Sequence, residues 1–252
     1  MHIRPTQFAT RIHRRVIVAL LGSLLLAAGT APAIAQAATY RDCTGIEFAP
    51  GARMHRCDLA DRTIIGLDLH RINLARSDLS RVDGGCDPDA PRTNLTGARI
   101  YRAILVDARL CDAILSDADL HGSDLTRAAL EDADLRRANL SWATLDGAGA
   151  NFAPMDDVNL SNASWLDGSA IGAQFDGADM HRLDLRGTSL AAASLVGADL
   201  RFARLDGVDF SRADLTGANW RQAIGVATAT YAGTTCPDGT NSDANGGTCV
   251  GH

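Results

Sequence analysis

From Thr93 to Gly225 the chain repeats itself every five residues, and no helix or plain strand has that period. In Ala118-Asp119-Leu120, Ala133-Asp134-Leu135, Ala138-Asn139-Leu140, Ala198-Asp199-Leu200 and Ala213-Asp214-Leu215 a small residue stands two places before a large apolar one. Of the 27 units centred on residues 95 to 225, 24 have Leu, Ile, Met, Phe or Trp at the centre, 20 have Ala two before it, and 12 have Asp or Asn between. A helix would repeat every 3.6 residues and a strand every two. Five means a chain that turns a corner in each unit, sends one large and one small side chain inward, and leaves three positions outside. Such a unit cannot cover its own apolar residues, so it must stack on copies of itself as a solenoid does.

A shorter block in a shifted register comes first, from Ala52-Arg53-Met54 through Cys57-Asp58-Leu59 and Ser77-Asp78-Leu79 to Val82-Asp83-Gly84. Its small position is degraded to Arg62, Leu67 and Ile72. Residues 85–92, rich in Gly and Pro, read as a loop leaving the coil between the blocks. Near Ala150 and Ala170, where a large residue is expected, the space is open to Trp165, or to Phe152 if the chain bulges and bends at Ala153-Pro154.

These residues resemble the pentapeptide-repeat family, whose consensus is A-[DN]-L-x-x, over residues 52–225. The resemblance implies an all-β fold, a right-handed quadrilateral β-helix with four units per coil, so that residues 20 apart stack. Seven early and 27 later units then make about eight coils, a rod about 40 Å long at a strand spacing of about 4.8 Å. Residues 38–51 and 226–252 read as covers for its open ends.

Residues 1–37 have the form of a secretory signal: basic His13-Arg14-Arg15, an apolar run of 14 residues from Val16 to Gly29, then small-residue cleavage sites at Ala33-Ile34-Ala35 and Ala35-Gln36-Ala37. The run is well short of the roughly 20 residues of a spanning helix, so no stable membrane anchor is expected after cleavage. Expected localisation is therefore periplasmic or secreted. From residue 38 on, 20 Arg face 30 acids, a formal charge of −10, which speaks against nucleic-acid binding. The six cysteines read as disulfides: Cys43 with Cys57 across the start of the repeats, Cys86 in the loop with Cys111 on the coil wall, and Cys236 with Cys249 in a Gly- and Asp-rich end. Metal binding is the alternative, without supporting C-x-x-C or His spacing.

Candidate chemistry is thin. Asp recurs because the repeat favours a small hydrogen-bonding side chain, so paired carboxylates carry no acid/base implication; His121, Ser123 and Asp124 are a triad only in linear order. Asn241 to Gly246 imitates the start of a calcium loop but has His252 at the twelfth position. No catalytic residue, metal ligand or cofactor is expected. The wall through residues 100, 120 and onward is distinctive: it displays Arg99, Tyr101, Arg102, His121, Trp142, His181, Arg182, Arg201, Phe202 and Arg221 against three Asp, a charge of +2. The wall through 95, 115 and 135 carries −4. Arginine beside exposed aromatic residues is typical of recognition surfaces.

The expectation is an exported, non-enzymatic scaffold binding a protein or envelope component. The resemblance also implies an alternative, since some pentapeptide-repeat proteins mimic DNA and bind gyrase in quinolone resistance; gyrase, however, is cytoplasmic, and the cysteine pattern is not. A calcium-dependent binding module is weaker still.

Overall fold

The computed structural model describes Tyr40, Arg41, Cys43 and residues 45–252. The proposed signal, residues 1–37, lies outside the described residues, as does most of the start of the N-terminal cover. The rest is a β-solenoid. Parallel bridges join residues 20 apart, as in Arg99 to Asp119 and Asp119 to Asn139, so four five-residue units complete each turn. We number the walls by their central residues: wall 1 through Ile100, wall 2 through Leu105, wall 3 through Leu110 and wall 4 through Leu115.

The unit 139–143 shows why the repeat has this sequence. Leu140 N–H donates to Asn159 O on the next coil (2.7 Å), Trp142 N–H to Ser161 O (3.0 Å), and Asn139 N–H to Ala118 O on the previous coil (2.9 Å). Ala143 N–H closes the turn on Leu140 O at 3.0 Å. One donor is left, the N–H of Ser141, and the Asn139 side chain accepts it at 3.1 Å while also accepting the Ser141 hydroxyl. Asp or Asn before the central residue therefore satisfies the one backbone group that the ladder leaves out. At Ser164, Ser169 and Ser194 the acceptor comes instead from the coil before: Asp146 takes Leu166 N–H, Asn151 takes Ile171 N–H and Asp176 takes Val196 N–H.

Each turn is of type II, so the residue two after the centre has φ near +60°. Gly97, Gly122 and Gly147 suit that position, but Arg102, Trp142 and Phe202 also occupy it. Inside, the central and small residues form one continuous apolar column, Leu, Ile and Ala for the most part. Among the described residues no buried side-chain nitrogen or oxygen lacks a hydrogen-bond partner.

The loop adds six residues to one coil, so Asp68 bridges Asn94 and Asn73 bridges Arg99, 26 apart. The two registers are thereby one ladder. Near Ala150 and Ala170 the gap is filled by Trp165, fully buried, with Nε1 donating to Ala148 O at 3.1 Å. Phe152 does not fill it: the ladder continues through Gly149 to Ser169 and Pro154 to Gln174 without a bulge, and Phe152 stays 61% exposed. Its ring lies outside against Gly172 on the next coil.

Stacking also continues past residue 225. A short 3-10 helix, Val226–Thr228, adds one residue, after which Thr230 pairs with Asp209 and Thr235 with Asp214. Tyr231 and Cys236 thus occupy central positions, with Tyr231 stacked on Phe210 at 5.8 Å between centroids. The end is folded over by a turn in which Thr235 pairs antiparallel with Asn241. Among the described residues no helix is long and apolar enough to cross a membrane.

Candidate functional site

Wall 1 and its two corners are built from the central residues Met54, Leu74, Ile100, Leu120, Leu140 and onward, which fix the backbone while flanking residues face out. Tyr101 and His121, on adjacent coils, stack at 6.1 Å. On the corner after wall 1, Trp142 is 66% exposed and Phe202 44%. The Arg182 guanidinium lies over the Phe202 ring at 5.7 Å. Arg201 is bound to Asp199, whose carboxyl it holds below the usual carboxylate value, and His181 lies 3.5 Å from Asp179. Arg221 is exposed. The ion pairs of this face, Arg201 with Asp199 and His181 with Asp179, lie toward its C-terminal end, and its N-terminal arginines have none.

The N-terminal end of this face extends further than residue spacing alone indicated. With the two registers joined, segments 51–56, 71–76 and 97–102 stack on wall 1. They contain Arg53, Arg56, Arg71, Arg76, Arg99 and Arg102, with His55 and no acidic residue. All six arginines are exposed, and among the described residues none forms an ion pair. Arg53, Arg56, Arg71 and Arg76 escape a reading that begins the wall at residue 100; the signal that finds them is the loop length, which adds six residues to the spacing of 20.

The corner between walls 2 and 3 shows the contrast. There Arg81 stacks on Asp61 at 2.6 Å and Arg127 on Asp107 at 2.7 Å, each pulling its partner carboxyl below the usual value through hydrogen bonding. At the same turn position one corner away, Arg56, Arg76 and Arg102 stack on one another. Like charges a coil apart repel by about 1 kcal/mol even in water, and nothing within this column offsets it.

The cysteines are paired as Cys43–Cys57, Cys86–Cys111 and Cys236–Cys249, with Cα separations of 5.6, 4.7 and 5.2 Å. Such bridges point to an oxidising, non-cytosolic compartment. In the calcium-like turn the Asn241 side chain accepts from Asp243 N–H, the Asp243 carboxylate accepts Gly233 N–H, and Asn245 donates to Thr240. Its polar atoms are engaged within the end cover, and no group of three metal-binding side chains occurs among the described residues.

Ladder, turn and column together define a repeat β-solenoid whose core and backbone bonding are complete within the chain. Residues 88–117, 113–148, 153–191 and 193–223 match the pentapeptide repeats, in eight copies, and the chain belongs to that family. It is similar to HetL, a pentapeptide repeat protein involved in heterocyst differentiation regulation in the cyanobacterium Nostoc: 27% identity, 76% of this chain and 92% of that one, TM-score 0.52. It also matches QnrB1, a plasmid-mediated fluoroquinolone resistance protein, at 18% identity over 73% of this chain and 86% of that one, TM-score 0.42. Among curated proteins none matches significantly.

Proposed function

We propose that this chain is an exported, non-enzymatic pentapeptide-repeat scaffold, a right-handed quadrilateral solenoid of about eight coils, that binds a protein or envelope component in the periplasm or outside the cell. Residues 1–37 serve as its signal, 38–51 as the N-terminal cover and 226–252 as the stapled C-terminal end. The observation that carries the reading is the division of labour within each unit: backbone and core are satisfied internally, while wall 1 and its corners gather six unpaired arginines together with exposed Trp142 and Phe202. The disulfides favour this over a cytoplasmic gyrase-binding role.

Intact mass and N-terminal sequencing of the protein from its native host test the compartment. The expected product begins near Ala38 and carries no free thiol; an uncleaved, reduced, cytosolic product overturns export. The face is tested by pull-down with Trp142→Ala/Phe202→Ala. Retention of every partner by that variant overturns its role.

A further inference from the structure

We propose that the arginine-rich end of wall 1 docks the solenoid to an anionic lipid surface. The proposal gives the scaffold a partner chemistry and rests on the preceding reading for its compartment, not for the binding. Segments 51–56, 71–76 and 97–102 place six unpaired arginines on three successive coils with no acid among them. From residue 38 on, the remaining 14 arginines face 30 acids. A chain charged this way approaches an anionic surface in one orientation, with this end inward and the acidic walls turned away.

Three depressions on this face are open to solvent, the one lined by His55, Arg56, Asn73, Arg76 and Tyr101 being typical. A further observation favours lipid over a soluble polyanion. The corner column that begins Arg56, Arg76, Arg102 continues to Trp142 and Phe202, whose rings project outward. Anionic polymers in solution would use the charges and leave those rings wet. A headgroup layer uses both, since arginine meets phosphate while exposed aromatic side chains settle at the boundary with the acyl chains.

The turn position supplies clean variants. Arg56, Arg76 and Arg102 have φ of 57°, 59° and 53°, a conformation glycine adopts without strain, so Arg56→Gly/Arg76→Gly/Arg102→Gly removes charge and keeps the turn. Arg81→Gly/Arg127→Gly/Arg137→Gly removes equal charge at the same turn position elsewhere. Protein recovered from its host is sedimented with vesicles of phosphatidylglycerol and phosphatidylcholine, and with phosphatidylcholine alone. Differences between the two lipids and between the two variants cancel any contribution of the N-terminal segment.

Binding is expected for the anionic vesicles only, weakening with salt. Each arginine near such a surface contributes about fivefold, so the first variant binds about 100-fold more weakly and the second within about fivefold of the unaltered protein. Arg53→Ser/Arg99→Ser, on the wall itself, should lose about 25-fold by the same rule, independently of any turn effect. The fluorescence of Trp142, the most exposed of the three tryptophans, should shift to the blue on vesicles. No binding to anionic vesicles, an equal loss in both triple variants, or binding to soluble polyphosphate without binding to vesicles overturns the proposal. A cytosolic, reduced native product that still binds vesicles in this pattern refutes export and leaves the lipid site standing.

Discussion

Gly168 occupies the small position of the unit centred on Ala170, where 20 of 27 units have Ala. Its φ is not positive, so the backbone accepts alanine. By repeat consensus Gly168→Ala is a repair, expected to stabilise by about 0.4–1 kcal/mol through the unfolded chain. The structure reverses the sign. A Cβ there would lie 2.1 Å from Trp165 Nε1, 2.3 Å from Cδ1 and 2.9 Å from Ala148 O. Trp165 is fully buried and edge-on to Phe175 at 6.2 Å, so it cannot swing aside. Overpacking costs about 1–3 kcal/mol, and displacing the indole removes its bond to Ala148 O, leaving a buried donor at a further cost of about 1–3 kcal/mol. We expect a net loss of about 2–4 kcal/mol, or roughly 5–15 °C in Tm for a domain of this size.

The assay is thermal and urea unfolding with disulfides intact, run as a double-mutant cycle with Trp165→Leu. Alone, Trp165→Leu costs about 2–4 kcal/mol, because Ala150 and Ala170 leave nothing to close the cavity. In that background Gly168→Ala should become neutral or stabilising, giving a coupling of about 2–4 kcal/mol or slightly more. A rise in Tm for Gly168→Ala in the unaltered protein, or the same cost in both backgrounds, refutes the reasoning.

Asn159→Ala should cost about 1–2 kcal/mol, read as a lower urea midpoint, since Asn159 accepts both the N–H and the hydroxyl of buried Ser161. The carboxyls of Asp61, Asp107, Asp117, Asp134 and Asp199 are held below the ordinary 3.8 by hydrogen-bonded arginines. Depressed folded values mean stability that is present above pH 3.8 and lost as pH falls through the lower values, which a Tm series across that window checks. Asp156 has the opposite sign, pushed up by burial and then by Asp176, so Asp156→Asn should raise Tm at pH 7 with a gain that fades as pH falls through the raised folded value and is gone below 3.8. Replacing both Cys236 and Cys249 by Ser should cost about 3 kcal/mol for a loop of that size, and loosened stacking of Tyr231 on Phe210 should show as a change in near-UV dichroism.

The core was legible in the sequence because a central Leu and a preceding Ala leave a periodic trace at every unit, and Trp165 was legible as the filler beside Ala150 and Ala170. Four units per coil came from family resemblance, since a five-residue period does not say how many corners close a turn. The job of Asp and Asn was only half visible: their frequency was plain, but that they accept the N–H two residues on is a property of the folded turn. Phe152, open as the filler only if the chain bulged at Ala153-Pro154, could not be placed from the sequence, because an exposed ring against Gly172 has no one-dimensional signature. The arginines before residue 85 were missed for a positional reason, as the inserted loop hides which of them stack on Arg99 and Arg102.

The residue two after each centre is where this fold selects its surface. Its positive φ costs an ordinary residue about 1 kcal/mol or more against glycine, and Gly97, Gly122, Gly147, Gly187, Gly207 and Gly217 avoid that cost. Where arginine is retained at the corner between walls 2 and 3, an aspartate one coil earlier compensates with a two-point ion pair, as in Arg81 with Asp61 and Arg127 with Asp107. At the corner after wall 1 the strain is the same, but Arg56, Arg76 and Arg102 have only one another, and Trp142 stands in the column with its ring in water. Neither helix capping, core packing nor charge pairing within the chain accounts for bulky residues at those positions. In the lipid-docking proposal, anionic headgroups compensate the arginines of that column, and the boundary with the acyl chains accommodates the rings of Trp142 and Phe202.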